Sequence, residues 1–383
     1  MKRLAIISTH PIQYNAPLFA LLASRGNIAV KIFYTWGAEV LEDKFDPGFG
    51  KNIKWDIPLL DGYEYCFVEN KSARPGSHHF YGMVNPTLNK EIELWNATAV
   101  LVFGWAFSGH LRCIRHFYKK LPVLFRGDST ILRNQGTLKL GLRKLFLKWV
   151  YGHIDYSLYV GRENRRYYEV VGIKDKQLVY APHAIDNSRF ADNKNEYEKA
   201  AVLWRSNLGI QPEELTILYA GKLEDIKDPF FLVELAKGVA DKPVRFVIVG
   251  NGPLERSFKE TTAGNSKFVF LDFQNQLTMP IVYRVGDLFI LPSKSETWGL
   301  GVNEAMACGR GVLVRDTCGC AVDLVANGIN GYIFNSESKN QLIEKIGRLV
   351  IQKEQVKEMG KASLKKIQGY TFEHIVKAIE SLM

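Results

Sequence analysis

LPSKSETWGLGVNEAMACG, Leu291–Gly309, follows directly on the apolar run Leu288–Leu291 and decides how the rest of the chain is read. The run has strand character and stops at Pro292. A polar loop bearing Glu296 comes next, then Gly299 and Gly301, then a helical pattern with Glu304 in its first turns. Glycines permit close backbone approach, and a helix N-terminus offers N–H groups to a phosphate or a sugar hydroxyl. Glu296 and Glu304 can accept hydrogen bonds from hydroxyls on neighbouring rings. On carboxylate spacing alone, two solvated or helix-capping acids explain the same pattern.

Working outward, short β-rich apolar runs alternate with longer helical patterns along the whole chain, as parallel sheets covered on both faces require. The fold class is α/β. The first half gives strands at Leu4–Ser8, Ala29–Tyr34, Ala99–Phe103, Val123–Phe125, Tyr156–Val160 and Leu178–Ala181. The second gives Thr216–Gly221, Arg245–Gly250, Phe268–Leu271, Leu288–Leu291 and Gly311–Val314. Asp186–Lys199, rich in Asp, Asn, Lys and Glu, reads as a linker, so two domains are expected over 1–190 and 191–383. Ligands bind beyond the carboxyl ends of strands in open sheets, which points to a site in a cleft between two facing sheets.

Two further elements lie at such strand ends. YAGKLEDIKDP, Tyr219–Pro229, places Lys222 and Lys227 on one loop after Gly221, where they can hold a diphosphate and neutralise a leaving group. VGNGP, Val249–Pro253, is a strand followed by a turn with Gly250 and Gly252 that can let a planar base lie against backbone. A solvated loop and an ordinary turn are the alternatives for each element taken alone.

Together, in this order and at these separations, the three elements resemble the C-terminal domain of retaining GT-B glycosyltransferases of family 4, the glycosyl transferases group 1. Its hallmark is two glutamates with seven residues between them, the spacing of Glu296 and Glu304. The likeness spans about residues 156 to 383 and includes Ala181–Asp186 with Phe190, Asp287, Leu291–Ser293, and Gly319–Val325 followed by Gly328 and Gly331. The resemblance implies two Rossmann-like, doubly wound domains. It also implies that Lys222 and Lys227 grip the donor diphosphate, that Glu304 holds the ribose and that Glu296 contacts the donor sugar. The backbone of Trp298, Gly299, Leu300 and Gly301 would support sugar and phosphate. Relatives commonly have arginine where Lys222 stands, and a lysine offers a point charge in place of a bidentate fork.

The N-terminal half resembles the family less closely, as a different acceptor requires. After the first strand comes STHPIQYNAPL, Ser8–Leu18, where relatives often place a glycine pair; His10 and Gln13 are candidates to face the cleft. Arg126 and Asp128 stand where relatives often present a histidine beneath the reacting sugar. They are candidate sugar contacts, with a structural ion pair as the alternative. Gly104, Trp105 and His110 are candidates for the acceptor side or for core packing. The helix after Tyr370 is a candidate to pack back across the hinge.

Charge and composition bound the rest. The chain has 383 residues, 46% of them hydrophobic and 23% charged, enough for two packed cores. Its net +10 lies wholly in residues 1–190, with 26 basic against 16 acidic residues, and residues 101–150 hold ten basic residues against the single acid Asp128. Such a field favours an anionic partner. The helical pattern Leu138–Tyr151 mixes apolar and basic residues and is a candidate for peripheral contact with an anionic membrane or a lipid-linked acceptor. No nucleic-acid module accompanies the charge, so nucleic acid is not expected. The uncharged runs Leu4–Ser24 and Leu94–Leu111 are broken by polar residues, proline or glycine, and five cysteines without a CxxC pair read as reduced thiols. A cytoplasmic enzyme, at the inner face of the membrane, is expected. No DxD motif is present and His78 and His79 are adjacent, so no metal and no cofactor are expected. The reading is a glycosyltransferase using a nucleotide-diphosphate sugar and a saccharide or lipid-linked acceptor in cell-surface polysaccharide synthesis. A nucleotide-sugar epimerase of the same architecture and a non-enzymatic carbohydrate-binding protein are the alternatives.

Overall fold

The computed structural model describes residues 1–38, 44–46, 51–132, 137–192 and 194–383. They form two compact units, one with the described residues of 1–44, 57–183 and 372–383, the other with those of 45–56 and 184–371. The chain passes from the first unit to the second between His183 and Ala184, upstream of residue 190. The polar stretch read as a linker instead opens two helices, Asn187–Phe190 and Glu196–Asn207. Asp186 caps the first, accepting from the backbone N–H of Ser188 at 3.1 Å and of Arg189 at 3.3 Å.

The strands in chain order are β1 (Arg3–Ser8), β2 (Ala29–Tyr34), β3 (Lys44–Asp46), β4 (Lys51–Ile53), β5 (Glu64–Phe67), β6 (Ala99–Phe103), β7 (Val123–Arg126), β8 (Tyr156–Tyr159) and β9 (Leu178–Tyr180). They continue with β10 (Leu215–Ala220), β11 (Val244–Val249), β12 (Phe268–Leu271), β13 (Leu288–Leu291), β14 (Gly311–Arg315) and β15 (Gly331–Phe334). One sheet runs β5-β2-β1-β6-β7-β8-β9 and the other β12-β11-β10-β13-β14-β15, while β3 pairs with β4. Every pairing within the two large sheets is parallel.

Central strands of such sheets are buried on both faces and so are apolar throughout. Leu4–Ile7, Val100–Val102, Phe246–Ile248 and Leu288–Ile290 are all fully buried. Burying each of the Val, Leu, Ile and Phe side chains among them contributes ~1.5–3 kcal/mol relative to exposure. The order reverses between β1 and β6 in one sheet and between β10 and β13 in the other, and the carboxyl ends at such switch points are where ligands bind. The final helix, Phe372–Glu380, belongs to the first unit: Arg25 donates to both carboxylate oxygens of Glu380 at 2.8 and 2.9 Å, and Asn27 adds a third bond at 2.7 Å. All five cysteines are free thiols.

His110, a sequence candidate for the acceptor side, lies in the core of the first unit. Its Nδ1 donates to the Gly104 carbonyl at 2.8 Å, which leaves Nε2 to accept from the Thr35 hydroxyl at 2.8 Å. Those two residues follow β6 and β2, so the neutral ring ties two strand ends together. Burial pushes its pKa down to about 4. The unfolded chain therefore binds more protons than the folded one between that value and the ordinary 6.5, and this part of the stability is lost as pH falls through the window. Denaturant titrations should show His110→Gln reducing the pH dependence of stability between pH 4 and 6.5 by about 3 kcal/mol. Equal pH dependence in both proteins would contradict a buried neutral ring.

Candidate functional site

The site is built at the switch point of the second sheet, from the loops that leave the adjacent strands β10 and β13. After β10, the Gly221 N–H donates to Val249 at 3.0 Å, and the Tyr219 hydroxyl holds the Lys222 carbonyl at 2.7 Å. The turn after β11 locks on to this loop: Leu223 N–H donates to Asn251 O at 3.0 Å, and Leu254 N–H to Leu223 O at 2.9 Å. Only glycine fits so close an approach. A Cβ on Gly250, whose φ is +120°, would stand 2.3 Å from the Gly221 oxygen, and one on Gly252 would stand 2.5 Å from the Leu223 oxygen. Gly250 and Gly252, expected beside a planar base, thus also hold the lysine loop in place.

Opposite charges join that loop to the one after β13. Lys294 pairs with Asp225 at 2.7 Å while its backbone N–H donates to Ile226 O at 2.8 Å. Arg315, at the end of β14, donates to the Asp228 carboxylate at 2.7 Å and to Pro292 O at 3.2 Å. Asp228 itself sits in the left-handed region, with φ +50°. These ties bring the Lys227 ammonium directly on to the Glu296 carboxylate. Lys227, read from one loop, and Glu296, read from another, therefore meet, while Lys222 lies on the same loop as Lys227 with its carbonyl held by Tyr219. Sequence reasoning missed Asp228, Lys294 and Arg315; their signal was a position at the carboxyl ends of neighbouring strands.

Glu296 is held by its backbone, which accepts from Gly319 N–H at 3.0 Å and donates to Thr317 O at 3.3 Å. Trp298 is only 2% exposed, and its indole N–H donates to Asn303 at 2.8 Å, so main chain is what it offers a ligand. Gly299, with φ +105°, precedes the helix Leu300–Ala307, and its carbonyl accepts from the first-turn Val302 N–H at 3.0 Å. Glu304 departs from expectation. The spacing suggests two carboxylates open to hydroxyls, yet Glu304 is 3% exposed and accepts from the Tyr283 hydroxyl at 2.6 Å. Its place on the fifth residue of the helix turns it toward the helix Met279–Val285.

In the first unit the candidates gather at the carboxyl ends of β1 and β7. His10 is half-buried, bonds the Thr9 hydroxyl at 2.9 Å and meets the Trp36 ring edge-on at 5.1 Å. The structure corrects the expected sugar contact of Arg126: it is buried, and its terminal nitrogens donate to the carbonyls of Ala181 at 2.8 Å and Pro182 at 3.0 Å. Burial lowers its pKa to about 10, with Tyr168 and Asp128 opposing. The Arg126 clamp positions the following residue, His183, whose Nε2 lies 4.0 Å from the Asp128 carboxylate. Burial, then Arg126, hold the His183 pKa below its ordinary value, with Asp128 opposing. Among the described residues, no group of three or more His, Cys, Asp or Glu is placed to hold a metal ion.

Residues 203–366, which contain all of this second-unit geometry, match the family model of glycosyl transferases group 1. The match covers that segment and not the first unit's candidate residues. The D-inositol 3-phosphate glycosyltransferase of Gordonia bronchialis is 30% identical over 192 residues, covering 46% of this chain and 42% of that protein. The N,N'-diacetylbacillosaminyl-diphospho-undecaprenol alpha-1,3-N-acetylgalactosaminyltransferase of Campylobacter jejuni is 28% identical over 213 residues, covering 55% and 54%. The chain thus spans about half the length of these curated relatives. The whole fold is that of GT-B glycosyltransferases. Sucrose-phosphate synthase from Thermosynechococcus elongatus superposes with a TM-score of 0.73 at 16% identity, covering 100% of this chain and 98% of that one. Anabaena HepE in complex with UDP and glucose gives 0.70 at 12% identity, covering 100% and 99%.

The two glycines of the group 1 turn are not equivalent. A Cβ on Gly299 would stand 2.6 Å from Leu291 Cδ2 in a left-handed conformation, whereas one on Gly301 would meet Phe289 and the Tyr283 hydroxyl at 3.2 Å. Gly299→Ala should therefore cost ~1–3 kcal/mol in a denaturant titration, and Gly301→Ala less. The reverse order would contradict the turn geometry.

Proposed function

We propose that the protein is a retaining glycosyltransferase that moves a sugar from a nucleotide-diphosphate donor to a hydroxyl of a saccharide or lipid-linked saccharide. The observation that carries the reading is the meeting of Lys227 with Glu296 at the β10/β13 switch point, close to Gly299 at the N-terminus of the helix Leu300–Ala307. Lys222, Lys227 and the helix-end amides neutralise the leaving diphosphate, as an oxyanion site does, without calling on a metal ion. Glu296, beside Lys227, contacts the donor sugar. Glu304, fixed by Tyr283, accepts from the ribose, and the Gly250–Gly252 turn receives the base.

As the bond from the anomeric carbon to the phosphate oxygen breaks, the acceptor oxygen bonds to that carbon on the same face. Its proton passes to the departing diphosphate, so no side chain serves as general base. The acceptor belongs to the basic N-terminal unit, with His10 and Asp128 as candidate contacts. The Campylobacter relative, named for a diphospho-undecaprenol substrate, supports a lipid-linked acceptor; work on cell-surface polysaccharide at the inner face of the cytoplasmic membrane belongs to the same proposal.

A panel of UDP-, GDP- and ADP-sugars, with and without glycan acceptors, tests the reading by nucleotide release. Release that accelerates with acceptor is expected, and Lys227→Ala should depress turnover ~100-fold or more. Glu304→Gln, which retains an acceptor for Tyr283, should raise the donor KM with little change in thermal stability. Conversion of the donor without acceptor would indicate an epimerase, and absence of any turnover a binding protein.

A further inference from the structure

We infer that the C-terminal part of the helix Thr137–Tyr151 is a docking surface for an anionic lipid bilayer. Leu147, Val150 and Tyr151 point inward and are buried in the core of the first unit, which fixes the helix on its scaffold. The opposite side is apolar where a solvated helix would be polar: Leu145 is 66% exposed, Phe146 44% and Trp149 43%. At roughly 100° per residue, these three share one arc of the helix surface. Phe146 and Trp149 stack with centroids 5.8 Å apart, so they form one ridge rather than scattered surface residues.

Cations border that ridge. Lys144 and Lys148 are exposed beside it on the same helix, and the Arg115 guanidinium, from the neighbouring helix Ser108–Phe117, lies 5.2 Å from the centroid of the Trp149 ring. An aromatic and aliphatic ridge edged by long basic side chains matches the boundary between acyl chains and anionic headgroups. Apolar side chains enter the boundary while the ammonium and guanidinium groups stay among phosphates. Among the described residues no helix is long and apolar enough to cross a membrane, so the contact is peripheral. It extends the membrane-face reading of the transferase proposed above, naming the surface that would bring the enzyme to a lipid-linked acceptor.

Co-sedimentation with vesicles tests this on the full chain with no donor present. Vesicles of phosphatidylcholine and phosphatidylglycerol in equal parts should bind the protein, and phosphatidylcholine alone should not. Raised salt should weaken binding, as should Lys144→Gln/Lys148→Gln, by roughly fivefold per charge. Phe146→Ser/Trp149→Ser, at exposed positions, should lower the partition about tenfold or more, while leaving circular dichroism and affinity for nucleoside diphosphates unchanged. Wild-type indifference to anionic vesicles would overturn the inference, as would a double variant that binds like wild type. So would a solution dimer that the double variant dissolves, because a second copy would then cover the ridge. Failure of nucleotide binding with vesicle binding intact would sink the donor assignment and leave the docking surface supported.

Discussion

Everything proposed for the second unit depends on the charge pairing that joins the loops after β10 and β13. Lys227 with Glu296, Lys294 with Asp225 and Arg315 with Asp228 each cross from one loop to the other or to the strand beside it. Of these, Lys294–Asp225 is solvent-exposed, and an exposed pair is worth about 0–1 kcal/mol; the other two are mostly shielded from water. Their consequence is positional. Three pairs and the Lys294–Ile226 backbone bond fix where the two loops stand, and a fixed array of charges is what stabilises a developing anion without reorganising first.

Close packing of main chain makes that array possible. Gly250 and Gly252 admit the Gly221–Leu223 backbone to distances that a Cβ would forbid, and Gly299 turns the chain into the helix in a left-handed conformation open to glycine. The lysine loop is thereby braced from one side by the turn after β11 and drawn from the other by the acidic and basic side chains around β13. In the first unit the same economy appears in Arg126, a buried cation whose donors brace the Ala181–Pro182 strap and so set His183 near Asp128.

Where burial is two-sided, the sequence was informative: Leu4–Ile7 and Leu288–Leu291 are apolar runs because both faces of a parallel sheet are covered. Two of the four edge strands were not legible, whereas β9 and β12 were read as Leu178–Ala181 and Phe268–Leu271. β5, with exposed Glu64 and Tyr65, and β15, which opens on Gly331, lack that run. Asp186–Lys199 misled because its polar residues cap and coat helices, a tertiary role that composition does not separate from that of a linker. The loop lysines and Glu296 were readable from their order and spacing along the chain. The burial of Glu304 against Tyr283, the service of Arg126 to two carbonyls and the exposure of Phe146 and Trp149 depend on which neighbours fold against them, which periodicity alone does not reveal.

The proposed transfer requires the braced lysine loop and the adjoining helix tip to clasp a diphosphate. A crystal structure of the protein grown with a nucleoside diphosphate tests it most directly. Phosphate oxygens are expected within hydrogen-bond distance of Lys222, Lys227 and the first amides of the helix Leu300–Ala307, with the Lys227–Glu296 pair still in contact or opened by the ligand. A well-ordered nucleotide bound elsewhere on the molecule, with those lysines untouched, would contradict it.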